Sequence, residues 1–401
     1  MSLSAKQMHK LRKVLYKLYP NGNEATFYLT TANIQNVFVD TNRNAWMVWG
    51  DVLEALKTSK DKMIQLLKTM LDKNDVPELR YFYTELESSR RLRLLSLAEA
   101  LIMGRCVLFL GPEVLKVREG GAQLSFNEWI ARKLQERMEN DNVYFDKGLN
   151  TNLSYMANCY KETPNYMFGD VAALSNSEFK SLLAQQRIGR EIYEQMAMLP
   201  LRIVINANPD DLLCNYINQR KADSCRLNYY DISSKEEARP QTEALSGLQV
   251  SGSGQVTAPQ TVVYNIFGSF HNESSILHTE GEFLDFISRV TMGNPRLDNN
   301  LLAEFNEKDS YLFLGFDFEQ WYFKVLFHLF KIRKDEFNAV SCSFDAPGFG
   351  AANPLPATGR ISVRTKEFFE EEFKMFFVSD DLQSFITDLN ALLANYSAKL
   401  I

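Results

Sequence analysis

Five short apolar-rich runs, set apart by helix-like segments, limit what this chain can fold into. They are CVLFL (106–110), RIVIN (202–206), TVVYNIF (261–267), SYLFLGF (310–316) and NAVSCSF (338–344). A brief apolar run without polar alternation reads as a strand covered on both faces. Between the runs, SFNEWIARKLQERM pairs Ser125 with Glu128, and TEGEFLDFISRV pairs Thr279 with Glu282. That spacing is a capping box at the start of a helix. Strands alternating with helices predict an α/β fold with a doubly wound, Rossmann-like parallel sheet.

The first 85 residues follow a different period. SAKQMHKLRKVLYKLYP puts Met8, Leu11, Val14, Leu15 and Leu18 on one helical stripe and stops at Pro20-Asn21-Gly22. NAWMVWGDVLEALKTS and DKMIQLLKTMLDKN repeat the pattern, with Trp46, Trp49, Val52, Leu53 and Leu56 on an apolar face. The expected division is therefore a small all-α domain at 1–85 and an α/β domain at 86–401. Two polar stretches, 233–260 and 345–360, read as loops by composition.

Totals narrow the function classes. The net charge of −6 argues against broad electrostatic attraction to nucleic acid, so no direct nucleic-acid partner is expected. The 28 Phe and 17 Tyr argue for a substantial packed core. Cys106, Cys159, Cys214, Cys225 and Cys342 form no C-x-x-C pair, which fits a reducing cytoplasm and gives no zinc or redox motif. The polar first residues do not read as a secretory signal. No apolar run reaches the length of about 18 residues that a membrane span needs.

In an open parallel sheet, ligands bind beyond the carboxyl ends of the strands. Four strand ends compete for that role here: Gly111-Pro112-Glu113, Asn208-Pro209-Asp210-Asp211, Gly268-Ser269, and Gly315 followed by Phe316 and Asp317. Each also has a plainer reading. Asn208 and Pro209 suit an N-cap and N1 position, and the glycines suit tight turns. His271 suits a solvated loop, His278 a place before the Thr279 cap, and Cys214 a buried helical thiol.

In order and wording these blocks resemble the sirtuin-like family, specifically its bacterial defence-associated, NAD-cleaving branch. CVLFLGPEV resembles the family's Phe-x-Gly-Ala-Gly start. MLPLRIVINANPDDLL resembles its Thr-Asn-Tyr-Asp-x-Leu-Leu strand end. VYNIFGSFHNESSILHTEGEFLDFI resembles its His-Gly-Ser block, and YLFLGFDFEQWYFKVL its Gly-Tyr-Ser-x-x-Asp-Trp segment. The likeness spans roughly residues 90–395. Residues 1–85 more weakly resemble the helical effector-associated modules of bacterial immune proteins.

The resemblance implies cofactor-binding positions at Gly111, Asn208, Asp210, Ser269 and Gly315, in a degenerate pocket. Asn208 is the remnant of the family's catalytic asparagine, which orients the ribose and the attacking water. Phe267 replaces the family's general-base histidine and can neither accept nor donate a proton. Pro112 and Glu113 stand where glycine-rich backbone would cradle the dinucleotide. Asp317 replaces a serine, and Gln320 replaces the late aspartate. No metal ligands are expected, because the zinc branch's cysteine pairs are missing.

These departures lead to the expectation of a sirtuin-like pseudoenzyme in antiphage defence, with no cofactor, or with NAD where the pocket keeps its competence. It would act as a scaffold or sensor, joining a separate effector through its N-terminal helices and forming a homo-oligomer or larger assembly. The alternative is an active NAD+ glycohydrolase that depletes NAD+ on phage infection, using Asn208 with His271 or a water network, and Asp210 in support.

Overall fold

The strand Cys106–Leu110 (β1) is covered on both faces because its alternate residues enter different cores. Leu108 and Leu110 pack into one, Val107 and Phe109 into the other. The structure is a computed structural model that describes all residues except 1–2, 4, 35–36, 58–59, 75, 164–165, 168, 234–259, 317, 319, 331–337, 343–362, 374, 379–380 and 398–401. The loop stretches read at 233–260 and 345–360 lie outside the described residues, save Ser233 and Gln260.

Ahead of β1 come α1 (Ala5–Leu18), α2 (Gly22–Thr31), α3 (Ala45–Leu56), α4 (Lys60–Lys73) and α5 (Pro77–Ile102). Leu11, Leu15, Trp49, Val52, Leu66 and Leu67 build the core of this helical region. The boundary expected between residues 85 and 86 falls inside α5, which runs for 26 residues. Its first half gives Leu79, Phe82 and Leu86 to the helical core, and its second half gives Leu97 and Leu101 to the sheet.

After β1 the chain makes a 3₁₀ turn (Pro112–Val114) and the hairpin β2 (Lys116–Glu119) and β3 (Ala122–Ser125). Gly120 and Gly121 turn that hairpin at φ values of +54° and +89°, a backbone that favours glycine. Helices α6 (Phe126–Asn140), α7 (Leu153–Tyr160), α8 (Asp170–Ala184) and α9 (Glu191–Met196) follow, then β4 (Ile203–Asn206), α10 (Leu212–Arg220) and β5 (Cys225–Tyr229). The rest comprises β6 (Thr261–Asn265), α11 (Glu280–Met292), α12 (Asn299–Asn306), β7 (Ser310–Leu314), α13 (Trp321–Leu329), β8 (Asn338–Cys342), α14 (Val363–Glu372), β9 (Phe376–Val378) and α15 (Leu382–Ser397).

Seven strands form one sheet in the order β5-β6-β4-β1-β7-β8-β9, and every pairing in it is parallel. Helices α5 to α10 and α15 bury their apolar stripes on one face, and α11 to α14 on the other. This is the doubly wound Rossmann-like α/β fold, preceded by an all-helical region. The chain leaves β1 along the first face and reaches β7 from the second, so the topological switch point lies between β1 and β7. Among the described residues no helix is long and apolar enough to cross a membrane.

Candidate functional site

A cleft of about 270 Å³ opens at the carboxyl ends of these strands. Pro112, Glu113, Ala207, Pro209 and Phe267 line it from the strand ends, and Gln320, Tyr322 and Phe323 from the start of α13. Opposite them stand the first turns of α6 and α7. Ser125 Oγ accepts from Glu128 N at 3.2 Å, and Asn152 Oδ1 accepts from Tyr155 N at 3.1 Å. Each bond satisfies one orphan donor of its helix.

Phe267 sits among aromatic rings. Its centroid lies 4.9 Å from Phe283 and 5.5 Å from Phe286, both edge-on, and 5.9 Å from Tyr322. Phe283 and Tyr322 stack in parallel at 4.3 Å. A phenyl ring in such a box adds apolar area and edge-to-face contact, and it moves no proton.

None of Gly111, Asn208, Asp210, Ser269 and Gly315 lines the cleft; they lie in the layer beneath it. Asn208 is 4% exposed. Its side-chain nitrogen donates to the Gly111 carbonyl at 3.0 Å and to Asn206 Oδ1 at 3.2 Å. Asn206 Nδ2 in turn donates to Asn265 Oδ1 at 3.0 Å, and Asn265 Nδ2 to the Asp210 carbonyl at 2.9 Å. Asn206 and Asn265 are register partners on β4 and β6. Side-chain amides therefore cross three strand ends, a connected polar network in a buried layer. The sequence reading missed Asn206 and Asn265; their signal was an asparagine at the end of one apolar run and inside another.

Gly111 and Gly315 are held by each other. A Cβ on Gly111 would overlap the Gly315 carbonyl, and Gly315 takes φ +65° with Val114 Cγ2 at 2.7 Å from its own would-be Cβ. Gly111 N also donates to the Leu314 carbonyl at 2.8 Å. Backbone fills the switch point itself. Ser269 is fully buried in the turn after β6, where its N–H donates to Ser275 Oγ at 3.0 Å.

Asp210 is buried, and Oδ1 accepts from Leu212 N at 2.9 Å while Oδ2 has no partner among the described residues. Burial pushes its carboxyl up to about 7. Asn208 and Pro209 are not the N-cap and N1 of a helix as their spacing suggests: α10 starts at Leu212 with Asp211 at its N-cap. Asn208 turns inward because Gly111 and Asn206 offer it buried acceptors. Asp211 meets His271, which is 3.4 Å away on an exposed side chain outside the cleft lining.

His278 does line the cleft. It is 8% exposed, and burial lowers its imidazole to about 4, so the ring is neutral at neutral pH. Thr279 and Glu282 form the full capping box of α11 just after it. The sequence reading assigned His278 to that helix start alone; nothing in the sequence pointed it toward the cleft.

Residues 202–341 match the SIR2-like domain family. The segment carries β4 to β8, and with them the asparagine network, Phe267 and the aromatic box. It supports a sirtuin-like family for this chain. No curated protein matches it.

That family is NAD-related, and the cleft's chemistry bears on the fit. Among the described residues no lysine or arginine lines it, while the Glu113 and Glu128 carboxylates do. Glu113 is paired with Lys116 at 2.6 Å and Glu128 with Arg132 at 3.1 Å. Those cations are already engaged, so a pyrophosphate here meets carboxylates without a cation of its own. Against these carboxylates stand the first-turn N–H groups of α6 and α7, and without a cation this lining does not fit a pyrophosphate. Asp317 lies outside the described residues. Among those residues no group of three His, Cys, Asp or Glu side chains is placed to hold a metal ion.

Proposed function

We propose that this chain is a non-catalytic SIR2-like protein that serves as a scaffold or sensor in bacterial antiphage defence. The observation that carries the reading is Phe267, edge-on to Phe283 and Phe286 where the resemblance puts a general base. Asn208, turned onto Gly111, is consistent with it. The helical region would be the contact for a separate effector, and a homo-oligomer or larger cytoplasmic assembly would present it. In support, α1 carries Lys6, Lys10, Lys13 and Lys17 on one exposed stripe and no carboxylate, a face suited to an acidic partner. The test is nicotinamide release from NAD+ by concentrated protein, beside Asn208→Ala. Release that vanishes in the variant would overturn the reading.

A second reading, an active NAD+ glycohydrolase, is favoured by one observation: a neutral imidazole, His278, lines the cleft. It predicts turnover that His278→Gln abolishes and His271→Gln leaves unchanged.

A further inference from the structure

The cleft has a hydrogen-bonding pattern of its own. Ser175 Oγ donates its one hydrogen to the Val171 carbonyl at 2.8 Å. It therefore receives the 3.0 Å bond from His278 Nε2. With Nε2 carrying the proton, Nδ1 of the neutral ring is an acceptor. No hydrogen bond reaches that atom among the described residues, although the residue is more than nine-tenths buried and lines both the cleft and a smaller pocket beside it.

Donors stand in the same cleft. Asn127, Leu153 and Ser154 line it from the first turns of α6 and α7. The caps there engage Glu128 N and Tyr155 N, and Phe126 N is taken by the Leu115 carbonyl. Among the described residues no hydrogen bond engages the N–H groups of Asn127, Leu153 and Ser154, which are orphan donors of the two helix starts. An acceptor and several N–H donors beside a stacked aromatic wall are the complement of a flat ring that carries an N–H next to a carbonyl.

Resting on the non-catalytic reading above, we propose that the cleft is a receptor site for a small uncharged oxo-heterocycle, an oxopurine or pyrimidine nucleoside, and not for a phosphorylated dinucleotide. His278 Nδ1 accepts from the ring N–H, helix-start N–H groups donate to the adjacent carbonyl, and the Phe283–Tyr322 wall covers the ring face. A phosphate adds charge beside Glu113 and Glu128. The volume, about 270 Å³, lies just under the roughly 300–1,000 Å³ of sites for drug-sized ligands.

Titration calorimetry with inosine, adenosine and inosine 5′-monophosphate tests this. Adenosine has the ring and sugar of inosine but no N–H beside a carbonyl. Inosine should bind, and adenosine should bind roughly tenfold or more weakly, the loss of a buried hydrogen bond. The 5′-monophosphate should bind more weakly than inosine. His278→Leu should bring inosine and adenosine together. Ser175→Ala keeps the imidazole, frees its tautomer and should shrink the same ratio, which covers the case of a leucine variant that does not fold. Equal binding of inosine and adenosine, tighter binding of the monophosphate, or no heat from inosine with folded protein would overturn the proposal. Nicotinamide release from NAD+, measured on the same sample, bears on the non-catalytic reading alone and leaves the inosine-to-adenosine ratio to judge the ligand.

Discussion

The side-chain nitrogen of Asn208 lies 3.0 Å from the carbonyl oxygen of Gly111, and this bond ties the turn after β4 to the end of β1. The same nitrogen also reaches Asn206 Oδ1. Asn208→Ala removes the donor and leaves buried acceptors without it, which costs about 1–3 kcal/mol. Urea unfolding should show a lower midpoint with an unchanged slope. An Asn208→Ala variant as stable as wild type would mean the amide plays no part in holding the strand ends.

Glycine substitutions separate close packing from backbone strain. At Gly111 the φ is −87°, open to any residue, yet a Cβ would overlap Gly315 backbone. Gly111→Ala should therefore destabilise by about 3 kcal/mol through overpacking. Gly121 has φ +89° and nothing within 4 Å of a would-be Cβ, so Gly121→Ala should cost only about 1 kcal/mol. Thermal midpoints of the two variants would check the order. A reversed order would place the strain in the hairpin instead.

Much of the sheet was legible in the sequence because covered parallel strands leave continuous apolar runs, as at Cys106–Leu110 and Ser310–Leu314. The weaker signals were missed. The edge strand Cys225–Tyr229 is half-exposed, and its arginine and asparagine break the run. The hairpin after β1 has two four-residue strands, with only Gly120-Gly121 to mark the turn. At the site, sequence located the strand ends but not which way the side chains turn. Asn208 and Pro209 satisfy a helix-start pattern, and buried acceptors on neighbouring strands decided otherwise. The pairing of His278 with Ser175 spans 103 residues, and no local spacing encodes it.

Asp210 and His278 pull stability in opposite directions with pH. Burial raises the Asp210 carboxyl to about 7, against about 3.9 in an unfolded chain. Between those values the folded state keeps a proton the unfolded chain has lost, so this contribution is complete below pH ~4 and disappears as pH rises to 7. Burial lowers His278 to about 4, against about 6.5 unfolded. Its contribution is complete above pH ~6.5 and is lost as pH falls to 4. The two slopes offset each other between these limits. Relative to wild type, Asp210→Asn should make stability rise with pH there, by up to about 1.4 kcal/mol per unit. His278→Gln should make it fall by a similar amount. Urea midpoints across that range read both slopes, and parallel wild-type and variant profiles would rule out the buried titrations.

Restoring a histidine should not restore chemistry. Phe267→His places an imidazole among Phe283, Phe286, Tyr322 and Phe323, where neutral ring nitrogens replace aromatic edges. An unmet buried polar group costs about 1–3 kcal/mol, so the melting temperature should drop. Nicotinamide release from NAD+ should stay at background, because Asn208 remains on Gly111 and no lysine or arginine among the described residues lines the cleft. A gain of release in Phe267→His that Asn208→Ala removes would show the opposite. Asn208 would then be free to leave Gly111, and the cleft would hold the dinucleotide despite its carboxylates.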